Sequence, residues 1–197
     1  MTIIESTDRI EMAESGNRSL DEMFELLEQW PVPEGYKAEI VEGTIHMTPQ
    51  RTTHWQTIRR VLYQLDDHFG REAEILSDVR IDFPGYLNGF CPDLAKIADG
   101  AQPDDDGRFA PGDIELIVEV VSRGTARNDY GPKKATYATS GIPVYVIVDP
   151  YNGECHAYGR PESDRFNLEL TVKYGESLDL RPFGLDLTLS TEDLPRD

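Results

Sequence analysis

The sequence predicts an α/β domain with parallel strands at its centre. Residues 114–121 are almost continuously Ile, Leu and Val, as in a strand that is buried on both faces. A polar connection and a helical stretch follow, and residues 142–149 form a second apolar run. A strand, a helix and a strand in this order are typical of a βαβ unit. We therefore expect residues 114–121 and 143–149 to be parallel neighbours in one sheet.

The length and composition indicate one domain with a short extension. The chain has 197 residues, and we expect residues 19–190 to form a single domain. Residues 1–18 are polar and acidic, so we expect a disordered or loosely packed extension rather than a signal peptide. No run reaches the roughly 18 apolar residues that a membrane-spanning helix needs. The two cysteines form no disulfide framework, and we expect a cytoplasmic protein with reduced thiols.

The formal charge of −18 predicts an acidic, solvated surface. It argues against a surface that coats nucleic acid generally, although it leaves room for a local basic groove. Basic residues gather modestly in two stretches, Arg51, Arg59 and Arg60, and then Arg123, Arg127, Lys133 and Lys134. Arg123 and Arg127 are either ordinary loop cations or contacts for phosphate groups.

The elements before the central strands begin with a short helix. Ser19 and Glu22 have the spacing of a capping box at its start. Residues 36–48 then predict a hairpin, with Glu42 and Gly43 at the turn. We interpret Glu42 as a turn residue, whereas Glu39 lies within a strand and is either structural or functional.

A longer amphipathic helix is predicted over residues 54–69. Its apolar face is given by Trp55, Ile58, Leu62, Leu65 and Phe69. His54, at its start, is interpreted as a capping or packing residue rather than a ligand. Asn88 and Gly89 predict a turn before a strand over residues 90–98. Pro132 is expected in the first turn of the helix that joins the two central strands, and Gly141 just after its end.

Glu119 is the residue that most needs an explanation. A carboxylate inside a buried strand costs several kcal/mol, roughly, unless a cation or hydrogen bonds compensate it. Asp93 and Lys133 are its candidate companions. Two carboxylates can hold Mg²⁺ or Mn²⁺, and a nearby lysine can position or deprotonate a water, or stabilise negative charge. The alternatives are that Asp93 caps a turn and that Glu119 and Lys133 form a structural ion pair.

Several short segments together resemble a known family, the Uma-type restriction endonucleases of the PD-(D/E)XK nuclease superfamily. The resemblance covers roughly residues 20–185. It rests on Cys91-Pro92-Asp93, on Val118-Glu119-Val120-Val121-Ser122-Arg123, on Asp129-Tyr130-Gly131-Pro132-Lys133, and on residues 137–143 and 145–150. The hairpin around Ala38-Glu39-Ile40-Val41-Glu42-Gly43 and the helix from His54 are also similar.

The resemblance implies a restriction-endonuclease-like core, in which a mixed sheet is flanked by helices. It implies that Asp93 and Glu119 are metal ligands, that Glu39 is an additional acidic member, and that Lys133 is the lysine of the site. The superfamily pattern places a lysine two residues after the second acid, where this chain has Val121. Lys134 should point about 100° away from Lys133 around the helix. Ser122, Asp129 and Tyr137 match supporting positions.

These observations predict a Mg²⁺- or Mn²⁺-dependent endonuclease that hydrolyses phosphodiester bonds in DNA. The alternative is a nuclease fold that serves as a binding or regulatory module with weak or no activity, which the acidic charge favours. A homodimer could bring two sites together, although the sequence shows no interface. A small-molecule enzyme is disfavoured because the chain has no Gly-rich phosphate loop and no GxSxG context.

Overall fold

The predicted strand–helix–strand unit lies at the centre of a mixed sheet. The computed structural model describes residues 2–6, 9–13, 18–30 and 32–197. Strands β9 (Ile114–Val120) and β10 (Val144–Asp149) are parallel neighbours, with Glu119 opposite Ile147, which confirms the predicted pairing. The other neighbours in this sheet are antiparallel. The strand order is β12 (Arg165–Lys173), β11 (Glu154–Glu162), β10, β9, β8 (Leu94–Ile97) and β5 (Ile75–Leu76).

A second six-stranded sheet is entirely antiparallel. Its strand order is β1 (Thr2–Ser6), β2 (Arg9–Ala13), β4 (Thr44–Pro49), β3 (Tyr36–Val41), β7 (Asn88–Phe90) and β6 (Ile81–Phe83). Strands β3 and β4 form the predicted hairpin, and Glu42 (φ 49°) and Gly43 (φ 72°) make its turn in the left-handed region. A two-stranded ribbon of β13 (Ser177–Asp179) and β14 (Thr188–Ser190) completes the strands of the described residues.

Strands β1 and β2 lie within the N-terminal segment, and the expectation of a disordered or loosely packed extension over residues 1–18 stays a prediction. Strand β2 pairs with β4, and Met12 is buried in the core against this sheet. The sequence of the segment is polar overall, but Ile10 and Met12 alternate with charged residues, as in a strand with one buried face. Residues 1, 7–8 and 14–17 lie outside the described residues, and the boundary at residue 19 stays a prediction.

Four α-helices occur in the described residues, namely α1 (Leu20–Gln29), α2 (Thr52–Phe69), α3 (Ala126–Tyr130) and α4 (Pro132–Thr139). Short 3₁₀ helices span Pro111–Asp113 and Arg181–Phe183. The capping box of α1 is confirmed, because Ser19 Oγ accepts from the Glu22 N–H and Glu22 Oε2 accepts from the Ser19 N–H. Pro132 begins α4, and Gly141 follows its end with φ 75°. None of these helices is long and apolar enough to cross a membrane.

Two predictions about local structure were wrong. Asn88 and Gly89 do not form a turn but belong to strand β7, and the turn lies just before them, around Gly85. The single strand predicted over residues 90–98 is two strands in different sheets, β7 and β8. The chain crosses from one sheet to the other at Cys91, Pro92 and Asp93, where proline interrupts the strand pairing. This crossing places Asp93 between the two sheets.

Three buried apolar clusters fill the spaces between the sheets and the helices that pack on them. Helix α1 covers one face of the antiparallel sheet, and α2 covers the outer face of the mixed sheet through Ile58, Val61 and Leu65. The third cluster lies between the two sheets and includes Tyr137 of α4. Trp55 was predicted on the core face of α2 but is 52% exposed. The fold is the predicted α/β class, with a mixed sheet flanked by helices.

Candidate active site

Glu119 lies on the face of β9 that looks toward the other sheet. Leu116, Val118 and Val120 pack under α2, whereas Ile117 and Val121 pack between the sheets, as strand alternation requires. Glu119 shares the second face and is 2% exposed. The carboxylate is therefore directed into the interior of the protein, where it needs charged or hydrogen-bonding partners.

Asp93 is placed next to Glu119 by the register of β8 and β9. Leu94 pairs with Val118, so Asp93 and Glu119 are neighbours across the two antiparallel strands. Asp93 Oδ2 accepts a hydrogen bond of 2.7 Å from the Val120 N–H, and the Asp93 N–H donates to Glu119 Oε2 over 3.4 Å. The two carboxylates predicted from the sequence are thus brought together by the backbone of two strands.

Lys133 joins the two sheets through three carboxylates. Its Nζ lies 2.7 Å from Glu119 Oε1, 2.9 Å from Glu39 Oε2 and 3.3 Å from Asp129 Oδ1. An ammonium group has three N–H donors, so these contacts can use all of them. Tyr137, one helical turn later on α4, donates a hydrogen bond of 2.6 Å to Glu119 Oε1. The structure therefore places Glu39, Asp129 and Tyr137 beside the predicted pair of Glu119 and Lys133.

Lys37 is a second ammonium group in the site, and the sequence analysis missed it. Its Nζ lies 2.6 Å from Asp93 Oδ1 and 3.1 Å from Asp78 Oδ1. Lys37 and Glu39 are two residues apart on β3, so their side chains share one face of the strand. That spacing is the signal that could have identified Lys37, because Glu39 was already a candidate.

His54 is also part of the site, and it is neither a helix cap nor a simple packing residue. Its Nε2 lies 3.0 Å from the Val120 carbonyl oxygen and 3.2 Å from Asp93 Oδ2. Because both neighbours are acceptors, the proton belongs on Nε2. The other ring nitrogen, Nδ1, is buried and has no hydrogen-bond partner among the described residues. The histidine thus holds the Asp93 carboxylate at the first turn of α2.

The four carboxylates of the site differ in the direction in which the folded protein shifts their pKa values. Burial would raise the pKa of Asp93, but Lys37 and His54 outweigh it and hold that pKa well below its usual range. Burial likewise opposes the ionised form of Glu39, yet Lys133 and Lys37 lower its pKa. Burial raises the pKa of Glu119 and, more strongly, that of Asp129, because the loss of hydration and the neighbouring carboxylates outweigh the attraction of the nearby lysines. Asp93 is thus the carboxylate most firmly held as an anion.

Both lysines are held in the charged form. Burial disfavours their ammonium groups, but Asp93 and Glu119 raise the pKa of Lys37 well above its ordinary value. Glu119, Glu39 and Asp129 do the same for Lys133. A lysine with a raised pKa remains protonated at neutral pH, so either group can donate hydrogen bonds and stabilise negative charge. Neither is suited to accept a proton from water.

A small cavity lies among these side chains. Its volume is about 20 Å³, which is room for one water molecule or one small ion. The cavity is lined by Lys37, Glu39, Thr48, Gln50, His54, Asp93, Glu119, Val120, Ser122, Thr125, Asp129 and Lys133. Most of the polar side chains that the sequence and the structure single out therefore face one small cavity.

The cavity is lined by carboxylate oxygens, the type of ligand that hard divalent cations prefer. The buried carboxylates Glu39, Asp93, Glu119 and Asp129 face only two buried ammonium groups, so full ionisation leaves two negative charges in excess. No three His, Cys, Asp or Glu side chains of the described residues are arranged to share one metal ion. Mg²⁺ needs only one or two carboxylates, because it keeps several waters and also binds substrate phosphate oxygens. Asp93 and Glu119 are consistent with that mode of binding.

The remaining predicted residues occupy the edge of the cavity or the surface. Ser122 is buried and its hydroxyl lies 2.7 Å from that of Thr125. Arg123 and Arg127 are exposed, and the Arg123 guanidinium lies 5.1 Å from the centre of the Tyr151 ring. Lys134 points away from the cavity, over the ring of Tyr158, as its helical position predicted.

Comparison with known proteins shows the family and the fold of the chain. Residues 24–192 match the Uma2 family, which is described as "Putative restriction endonuclease". A solved structure from Anabaena variabilis, described as a "putative nuclease belonging to DUF820", superposes with a TM-score of 0.66. The two chains are 18% identical, and the match covers 90% of this chain and 97% of the other, so it shows a shared fold. No curated protein matches the sequence. The chain belongs to the Uma2 family of restriction-endonuclease-like proteins.

Proposed function

We propose that this protein is a metal-dependent nuclease that hydrolyses phosphodiester bonds in DNA. The observation that carries the proposal is the convergence of Asp93, Glu119 and two lysines on one small cavity. Membership of the Uma2 family supports the same reaction class. The fold itself is shared by proteins of many functions, so the argument depends on these side chains.

Asp93 and Glu119 would hold Mg²⁺ or Mn²⁺. The backbone supports this role, because the Val120 N–H and the Asp93 N–H fix one oxygen of each carboxylate. His54 Nε2 lies 3.2 Å from the same Asp93 oxygen, Oδ2, that accepts the Val120 N–H. A bound divalent ion polarises a phosphate oxygen and lowers the pKa of a bound water.

The two lysines have different freedom to act on substrate. Lys133 is fixed by three carboxylates, which favours a role in positioning Glu119 and orienting a water beside it. Its raised pKa favours orientation and charge stabilisation over deprotonation of that water. Lys37 contacts Asp93 and the half-exposed Asp78, so its ammonium is the more available partner for a phosphate oxygen in the transition state.

A binding or regulatory module with a nuclease fold is the second candidate. The net charge of −18 opposes strong binding to nucleic acid. The carboxylates of the cavity are also already paired with lysines, as in a structural network. In this case the polar cluster would stabilise the fold and contribute no chemistry.

Nicking of supercoiled plasmid separates the two candidates. We expect the wild-type protein to nick plasmid with Mg²⁺ or Mn²⁺ and to lose this activity in EDTA. Asp93→Asn and Glu119→Gln keep the shape of each side chain and should remove at least 99% of the activity, on the order of the loss of a metal ligand or an electrostatic partner. Glu42→Gln, at the exposed hairpin turn, is the matched control and should cleave normally. A folded wild-type protein that cleaves nothing with either metal would favour the module instead.

A further inference from the structure

The outer face of helix α2 carries two exposed aromatic rings with an arginine between them. Trp55 and Tyr63 are 52% and 55% exposed, and they are two of only four large hydrophobic side chains that are exposed in the described part of the chain. Arg59 lies between them, with its guanidinium 5.7 Å from the centre of the Tyr63 ring. The spacing of four residues places all three on one side of the helix. We call Trp55, Arg59 and Tyr63 the α2 face.

This face is separate from the packing face of the helix. Ile58, Val61 and Leu65 bury the opposite side of α2 against the mixed sheet. Large apolar surface that remains exposed beside a polar rim commonly marks an interaction site. The first and last side chains of the α2 face are about 12 Å apart along the helix axis, from a rise of about 1.5 Å per residue. The two rings can therefore contact separate groups of one extended partner.

The charge at the start of the α2 face favours an anionic partner. Residues 52–65 contain Arg59 and Arg60 but no Asp or Glu, whereas Asp66 and Asp67 follow and line one groove with Tyr63, so the positive charge lies toward the start of the helix. Arg51 and Arg123, both exposed, directly follow Gln50 and Ser122, which line the cavity. The exposed Arg51, Arg59 and Arg123 therefore lie, along the chain, next to residues that line the cavity or between the two rings.

We propose that the α2 face binds a single-stranded segment of nucleic acid that continues past the start of α2 from a phosphodiester held at the mouth of the cavity. Aromatic rings stack on unpaired bases of any sequence, and arginine contacts phosphate groups, which matches an aromatic–arginine–aromatic series. Bases in a duplex are already stacked on each other and offer no free faces. His54 contacts Asp93 in the site and Trp55 is the next residue, so the indole is the ring of the α2 face that lies nearer the site along the chain. The choice of nucleic acid as the partner rests on the proposed function.

Tryptophan fluorescence in EDTA tests binding without cleavage. The chain has two tryptophans, so Trp30→Phe leaves Trp55 as the only indole. We expect oligo-dT of about 12 nucleotides, within the usual range of such sites, to quench Trp55 emission. Binding should weaken as salt increases, and a duplex of the same length should bind more weakly. Fluorescence anisotropy of labelled oligo-dT should show a roughly tenfold weaker Kd for Tyr63→Ala and for Trp55→Ala, on the order of the loss of one stacked base.

Tyr86→Ala is the matched control, because Tyr86 is 67% exposed but lies on the turn between β6 and β7. Its Kd should equal that of wild type. Unchanged affinity in the Trp55 and Tyr63 variants would overturn the proposal. So would gel filtration in which Trp55→Ala converts a dimer into a monomer while oligo-dT affinity stays the same, because a second copy of the chain would then occupy the face.

The result is distinguishable from a failure of the proposed function. If the protein binds oligo-dT through Trp55 and Tyr63 but never cleaves, the binding proposal for the α2 face is supported and the nuclease proposal is refuted. If the protein cleaves with metal while both variants bind oligo-dT like wild type, the nuclease proposal is supported and the binding proposal for the α2 face is refuted.

Discussion

Replacing Lys133 by methionine should destabilise the protein strongly. The side chain is almost fully buried, and its Nζ contacts Glu119, Glu39 and Asp129 within 3.3 Å. Methionine fills a similar volume but leaves buried carboxylates without their cation. Removing one partner of a buried ion pair costs about 3–5 kcal/mol, which is a large part of the roughly 5–15 kcal/mol that stabilises a domain.

The cost of the Lys133→Met substitution should depend on pH in a defined direction. Without the ammonium group, burial raises the pKa values of the three carboxylates in the folded state above their unfolded values of about 4. The folded variant then binds more protons than the unfolded chain, so its stability falls as the pH rises. The difference between variant and wild type should therefore be largest at about pH 8 and smaller at about pH 5.

Urea denaturation followed by circular dichroism at both pH values measures the effect. Lys134→Met is the matched control, because the neighbouring lysine is partly exposed and its Nζ is 4.0 Å from Glu169. That substitution should cost less than about 1 kcal/mol. A loss below about 1 kcal/mol for Lys133→Met at both pH values would refute the reasoning.

Three further predictions concern other parts of the molecule. Lys37→Met should slow single-turnover cleavage by roughly 10²-fold or more, because it removes a charge beside the reacting phosphate, and a folded variant with wild-type rates would contradict this role. Burial raises the pKa of Cys91 and of Cys155 to about 12, so a thiol reagent at about pH 8 should modify neither cysteine until urea unfolds the chain; rapid labelling of the native protein would be inconsistent with this. Ser19→Ala should lower the free energy of unfolding by about 1 kcal/mol, because it removes the hydrogen bond from the Glu22 N–H, and an unchanged urea midpoint would show that the cap contributes nothing.

The predictable parts of the fold are those encoded over short distances. The capping box of α1, the hairpin turn at Glu42 and Gly43, and the strand–helix–strand unit all follow from neighbouring residues. The burial of Glu119 could be predicted because its strand is apolar on both sides. Asp93 and Lys133 were candidate companions from the sequence itself, and the resemblance of the chain to a known family added the roles of metal ligand and site lysine.

The missed parts depend on contacts between distant segments. Lys37 resembles any surface lysine in the sequence, and only the packing of β3 against the crossing at Asp93, 56 residues away, makes it part of the site. His54 was interpreted as a capping or packing residue because it begins an amphipathic helix, and its hydrogen bond to the Val120 carbonyl spans 66 residues. Strand β2 was missed because its pairing partner, β4, lies beyond α1 in the sequence.

Anomalous scattering from a crystal soaked in Mn²⁺ tests the central claim most directly. We predict one ion between Asp93 and Glu119, with ligand oxygens at about 2.0–2.3 Å, near the range for hard divalent cations. The same soak of the Asp93→Asn variant should show a much weaker peak. An empty site in the wild-type crystal at millimolar Mn²⁺, with the lysine contacts to both carboxylates unchanged, would contradict the account and leave the cluster as a structural ion-pair network.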